Sequence, residues 1–115
     1  MTTAYPDPTA YCVAQTTTDS EAAAEVLARQ IVQARLAACV QVQPIKSFYV
    51  WQEQAHEDRE YLLSIKTRSA LYPALEAFIR QHHSYETPEI VQLPITAGSV
   101  SYLSWVDGNT RSPAA

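Results

Sequence analysis

S-F-Y-V-W-Q at Ser47–Gln52, answered across a polar turn by E-Y-L-L-S-I-K-T at Glu60–Thr67, is the stretch that decides the fold. The first run carries large residues on both of its faces. A strand with one solvated face would alternate instead. In the second run Tyr61, Leu63 and Ile65 share one side, while Leu62, Ser64 and Lys66 share the other. The polar Gln52–Asp58 segment between them reads as the turn of a long hairpin.

Working outward, Tyr11–Thr17 reads as a short strand, with Tyr11, Val13 and Gln15 against Cys12 and Ala14. Thr18 and Glu21 stand at capping-box spacing. Ala23, Leu27, Ile31 and Ala34 then recur as one helical stripe that fades near Leu36. Ala38–Gln43 alternates again until Pro44, which cannot donate to a ladder and so implies an edge or a bulge. Beyond the hairpin, Ser69 is the expected N-cap of a second helix, with Pro73 in its first turn. Leu71, Leu75, Phe78, Ile79 and His82 form its stripe. A turn around Pro88, a strand at Ile90–Ile95 and a short helix at Ser99–Val106 complete the chain.

That order is strand, helix, two hairpinned strands, helix, strand. It predicts an α+β domain over residues 11–107, with a four-stranded antiparallel sheet carrying both helices on one face. Residues 1–10 and 108–115 are expected to be disordered tails. The second sheet face is left open and holds Leu62 and the hairpin aromatics. An apolar face of that kind implies homo-oligomerisation.

Composition narrows the function. The chain has 115 residues and only two glycines, Gly98 and Gly108, where average usage would give about eight. No glycine-rich phosphate loop or dinucleotide fingerprint can be written with them. Eight basic against 12 acidic residues leave a net charge of −4, and the cations form no stripe. A nucleic-acid partner is disfavoured. No apolar run approaches a membrane span, and the N-terminus lacks the form of a signal peptide. Two cysteines make no disulfide framework, so the expected location is a reducing cytoplasm.

A-R-L-A-A-C-V at Ala34–Val40, F-Y-V-W, E-Y-L-L-S-I-K-T, and H-S-Y-E-T-P-E-I at His83–Ile90 with its continuation L-P-I-T-A-G-S-V together resemble the CutA proteins. These are the divalent-cation tolerance family, and the resemblance runs from Tyr11 to Asp107. It implies a ferredoxin-like βαββαβ sandwich with a short C-terminal helix, assembled as a homotrimer through its sheets. It also implies an architecture shared with PII-type signalling proteins, which hold effectors in clefts between subunits. Two positions depart from the family pattern. Thr16 stands where some members carry a cysteine proposed as a metal ligand, and Ser84 stands where proline is usual.

The residues suggest two sites. His82, His83 and Cys39 are the candidate ligands of copper or another divalent cation, since imidazole and thiolate suit such ions. Helical neighbours point about 100° apart, however, so the two histidines converge poorly. The structural alternative has His82 filling the helix stripe, His83 favoured at a helix C-terminus, and Cys39 packed in the core. Lys66, with Glu86 and Glu89 from the Pro88 turn and Tyr85 or Trp51 as walls, is the candidate for an intersubunit cleft taking an anionic or zwitterionic metabolite. The alternative for Lys66 is a solvated amine over Leu62. No nucleophile–base pair or carboxylate pair with assignable geometry is present, so no enzyme is expected. Two functions follow: a non-enzymatic CutA-like trimer in metal tolerance, or a PII-like sensor or carrier of a small molecule.

Overall fold

The ribbon formed by the deciding hairpin is longer than its apolar residues announce. The structure is a computed structural model and describes residues 2–4 and 10–113. Strands Thr3–Ala4 (β1) and Tyr11–Thr18 (β2) precede helix Glu21–Gln33 (α1). Strands Cys39–Trp51 (β3) and Gln54–Arg68 (β4) form the hairpin. A 3-10 turn at Ser69–Leu71 leads into helix Tyr72–His82 (α2). Strands Val91–Pro94 (β5) and Gly98–Ser99 (β6) then precede helix Val100–Gly108 (α3).

The main sheet has the order β3-β4-β2-β5 with every neighbour antiparallel, which is the expected split plan. Ala14 and Ile65 pair across β2 and β4, and both face the helices. Leu27 and Ile31 of α1, Leu75 and Ile79 of α2, and Leu63 of β4 complete this core. Their burial is the driving force that holds both helices to one sheet face.

Details differ from the sequence reading for definable reasons. The N-cap of α1 is Ser20, whose hydroxyl accepts from the Ala23 N–H at 3.1 Å, while Thr18 instead donates to the Ser20 carbonyl at 2.8 Å. The buried stripe uses Ala24 rather than Ala23, because consecutive alanines give periodicity no contrast. Ser69 opens the 3-10 turn, and Pro73 sits in the first turn of α2, where no intrahelical N–H is needed. β3 runs unbroken through Pro44, which pairs with Tyr61, because β3 is an edge strand. The turn shrinks to Gln52 and Glu53, whose φ values of 50° and 64° are those of a tight two-residue hairpin loop. Gln54–Asp58 is therefore strand, polar because the ribbon overhangs the helices and has no core beneath it.

Thr3 and Ala4, within the segment expected to trail, pair with Ser99 and Gly98. Met1 and residues 5–9 lie outside the described residues. Past α3, Arg68 Nε donates to Thr110 Oγ1 at 2.8 Å and the Arg111 N–H donates to the Arg35 carbonyl at 2.9 Å. Residues 114–115 lie outside the described residues. Cys12 and Cys39 are free thiols on strands that β4 separates. Burial pushes the Cys12 thiol up, away from a reactive thiolate.

Candidate functional site

The site begins where α2 runs out. His82 ends the helix, and His83 turns into extended backbone at φ −92°, ψ 143°. The chain must then cross back to β5, and His83 fastens the crossing. Its Nδ1 accepts the Tyr85 N–H at 3.1 Å, so Nε2 carries the ring proton and donates it to the Thr17 carbonyl at 2.6 Å. The imidazole also lies 4.7 Å from the Tyr85 ring. Tyr85 extends the clasp by donating its hydroxyl to Glu60 Oε2 at 2.8 Å. Burial first, then this hydrogen bond, hold the Tyr85 phenol far above its ordinary range.

Opposite the loop stands the overhanging ribbon. Ser47, Tyr49 and Trp51 alternate along one face of β3 and so point the same way. Loop and ribbon enclose a concavity of about 720 Å³, into which Trp51, Tyr85, Glu60, Glu86 and Glu89 look. Of the residues expected at an intersubunit cleft, Trp51, Tyr85, Glu86 and Glu89 border this concavity within one chain, and Lys66 does not. Its Nζ donates to Gln41 Oε1 at 2.7 Å and lies 5.8 Å from the Tyr102 ring centroid. Six residues of β4 separate it from Glu60, about 20 Å of extended strand. Glu60 and Tyr49 were missed. Placing the hairpin turn at its true two residues would have put Tyr49 on the Trp51 face and Glu60 opposite Ile45 beside it.

The metal candidates are dispersed. His83 has both ring nitrogens committed and no lone pair left for a cation. His82 is exposed rather than part of the buried stripe, which ends at Ile79. Its ring stacks 4.1 Å from Phe78 and its Nδ1 bonds the Phe78 carbonyl at 2.8 Å, leaving Nε2 alone free. Cys39 is half-buried and pairs with Lys66, whereas His83 bonds at the level of Thr17 and Leu62. Four residues of strand, roughly 13 Å, therefore part the thiol from the imidazole. Among the described residues no group of three His, Cys, Asp or Glu side chains converges on a point. Thr16 is fully buried, and among the described residues its hydroxyl has no hydrogen-bond partner. The arrangement within one chain does not fit a divalent-metal centre.

Residues 12–109, which hold the sheet, the ribbon and the clasp after α2, match the family described as CutA1 divalent ion tolerance protein. The chain belongs to the CutA family. It is 45% identical over 97 residues to Protein CutA of Homo sapiens, covering 84% of this chain and 54% of that protein. It is 43% identical over 95 residues to the divalent-cation tolerance protein CutA of Thermus thermophilus, covering 82% of this chain and 92% of the relative. The solved structure of CutA from Synechococcus elongatus superimposes with a TM-score of 0.90 at 32% identity, over 96% of both chains. The chain spans about half the length of the mammalian CutA proteins it matches. Among the described residues no helix is long and apolar enough to cross a membrane.

Proposed function

We propose that this chain is a non-catalytic, homotrimeric CutA protein serving divalent-cation tolerance, and that its working site is the small-molecule concavity rather than a metal centre. The observation that carries this reading is the convergence of Trp51, Tyr85, Glu86 and Glu89 on one concavity of small-ligand size. Oligomerisation is supported by the uncovered sheet face, where Val91 and Leu93 are exposed in register with Gln15 and Val13. A non-catalytic role is supported by the raised Cys12 thiol and by the full hydrogen-bond commitment of His83. A reducing cytoplasm suits two unpaired thiols.

Two measurements test the reading. Copper calorimetry on the wild type, on His82→Ala and on His83→Ala should give equal, weak binding in all three. A tight site lost in both variants would replace the reading with metal capture at the histidines. A thermal-shift panel of charged and neutral metabolites should contain at least one that raises the melting temperature by linkage. That shift should disappear in Trp51→Leu. A silent panel would remove the ligand-site reading.

A further inference from the structure

We infer that the concavity selects a small organic cation, a molecule presenting an ammonium group, rather than the anion or zwitterion that the sequence suggested. The inference rests on the ligand-site reading above and assigns its ligand class.

Charge is the first argument. Glu60, Glu86 and Glu89 border the concavity, and among the described residues no Lys, Arg or His side chain lines it. Among the described residues, Glu86 and Glu89 have no basic partner within 4.0 Å. Lys66 is held by Gln41 and Tyr102. Lys46 and Arg59 alternate onto the other face of the ribbon, and Lys46, 5.8 Å from the ring centroid of the bordering Phe48, is neutralised by Glu57 at 3.1 Å. An anion entering here would meet three carboxylates and no counter-charge.

The walls supply the second argument. Trp51, Tyr49 and Tyr85 line the same space, Tyr49 with one ring face stacked on His56 at 5.4 Å, and the negative face of an aromatic ring attracts a cation. The phenol hydroxyls are already spent on carboxylates, Tyr85 on Glu60 and Tyr49 on Asp58. They are not turned inward to meet an anion. Among the described residues the second oxygen of Glu60 has no hydrogen-bond donor, so aromatic rings and an acceptor stand together as a partly desolvated ammonium requires. The His83 clasp fixes this wall from behind through the Tyr85 N–H.

The experiment is calorimetry on the intact, full-length oligomer with three probes of one shape: choline, the uncharged 3,3-dimethylbutan-1-ol and the anionic 3,3-dimethylbutanoate. Choline should bind at least about 10-fold more tightly than the alcohol, and the carboxylate should not bind. Glu86→Gln with Glu89→Gln, both on an exposed turn and fold-neutral, should weaken choline severalfold and leave the alcohol unchanged. Trp51→Leu should weaken choline in turn. Equal binding of choline and the alcohol, or preferential binding of the carboxylate, overturns the cation assignment and leaves the ligand site standing. If none of the three binds while an anion from the thermal-shift panel does, the assignment again falls alone. Silence of both the probes and the panel overturns the site itself, as would a concavity filled by a second copy of the chain.

Discussion

Two residues carry a conformational or polar cost, and each makes a simple prediction. Arg35 closes α1 with a φ of 58°. Its N–H donates to the Val32 carbonyl at 3.0 Å, and the Leu36 N–H reaches the Ile31 carbonyl at 3.2 Å, with Leu36 buried beyond. This is the Schellman arrangement, in which glycine is the usual occupant of the left-handed position. A side chain there costs roughly 1–2 kcal/mol, so Arg35→Gly should stabilise the protein by about 1 kcal/mol in urea denaturation. No change or a loss would mean that the arginine side chain has a favourable contact of similar size. Thr16 is the second case. Its buried, unpartnered hydroxyl forfeits a hydrogen bond to water, so Thr16→Val should stabilise by about 1 kcal/mol or more. A destabilised Thr16→Val would point to a bound water or other partner at that oxygen. His83 reads in the opposite sense, since every polar atom of its ring is used. Its adjacency to His82 looked like a ligand pair in sequence, and only the hydrogen-bond directions distinguish a clasp from a ligand.

At the scale of elements, order and pairing were legible because helix stripes and strand alternation survive in a core. Leu27 and Ile31 on α1, Leu75 and Ile79 on α2, and Leu63 and Ile65 on β4 all fall where their periodicity places them. The pattern failed where there is no core. Gln54–Asp58 is strand held by ladder hydrogen bonds alone, so its polarity imitates a loop and hides the length of the ribbon. The error passed to the site. With the turn misplaced, Glu60 reads as the start of a strand rather than a wall of the concavity, and within one chain Lys66 stands six residues of β4 away from it. The α2 region also carries a pH signature. Burial first, and then the bond to Glu76, pushes the Tyr72 phenol up to about 12, and Tyr85 after the helix is raised further. An unfolded tyrosine ionises near 10. Between about 10 and 12 the unfolded chain therefore binds fewer protons than the fold, and stability falls as pH rises. Below that window the contribution is fully present. Urea midpoints should drop between pH 9 and pH 11, and Tyr72→Phe should flatten the drop. A Tyr72→Phe curve parallel to wild type would assign the alkaline loss to other groups.

The whole molecule measures 46 × 26 × 23 Å, elongated by a ribbon that the helices do not cover. Phe48 is 69% and Val50 74% exposed on that overhang, while Val91 and Leu93 are exposed on the open sheet face. Isolated apolar residues on a surface are ordinary, but these fall in two pairs: Val91 and Leu93 on the open face, and Phe48 and Val50 on the opposite side of the ribbon, beyond the reach of the helices. Covering them takes a surface from outside the chain, and this is why assembly is legible in the sequence only through pattern and resemblance. The same deficit of burial makes the proposed trimer testable through mass action. If folding and assembly are one transition, each tenfold rise in protein concentration should stabilise the folded state by about 2.7 kcal/mol per mole of trimer. Denaturant midpoints measured across two decades of concentration should climb accordingly, and sedimentation should show three chains below the transition. Phe48→Glu, which places a carboxylate on the exposed overhang, should lower the midpoint most at low concentration, where assembly is weakest. A midpoint that stays fixed across the two decades would mean that the open face is not closed by further copies of the chain, and that the concavity is complete within one subunit.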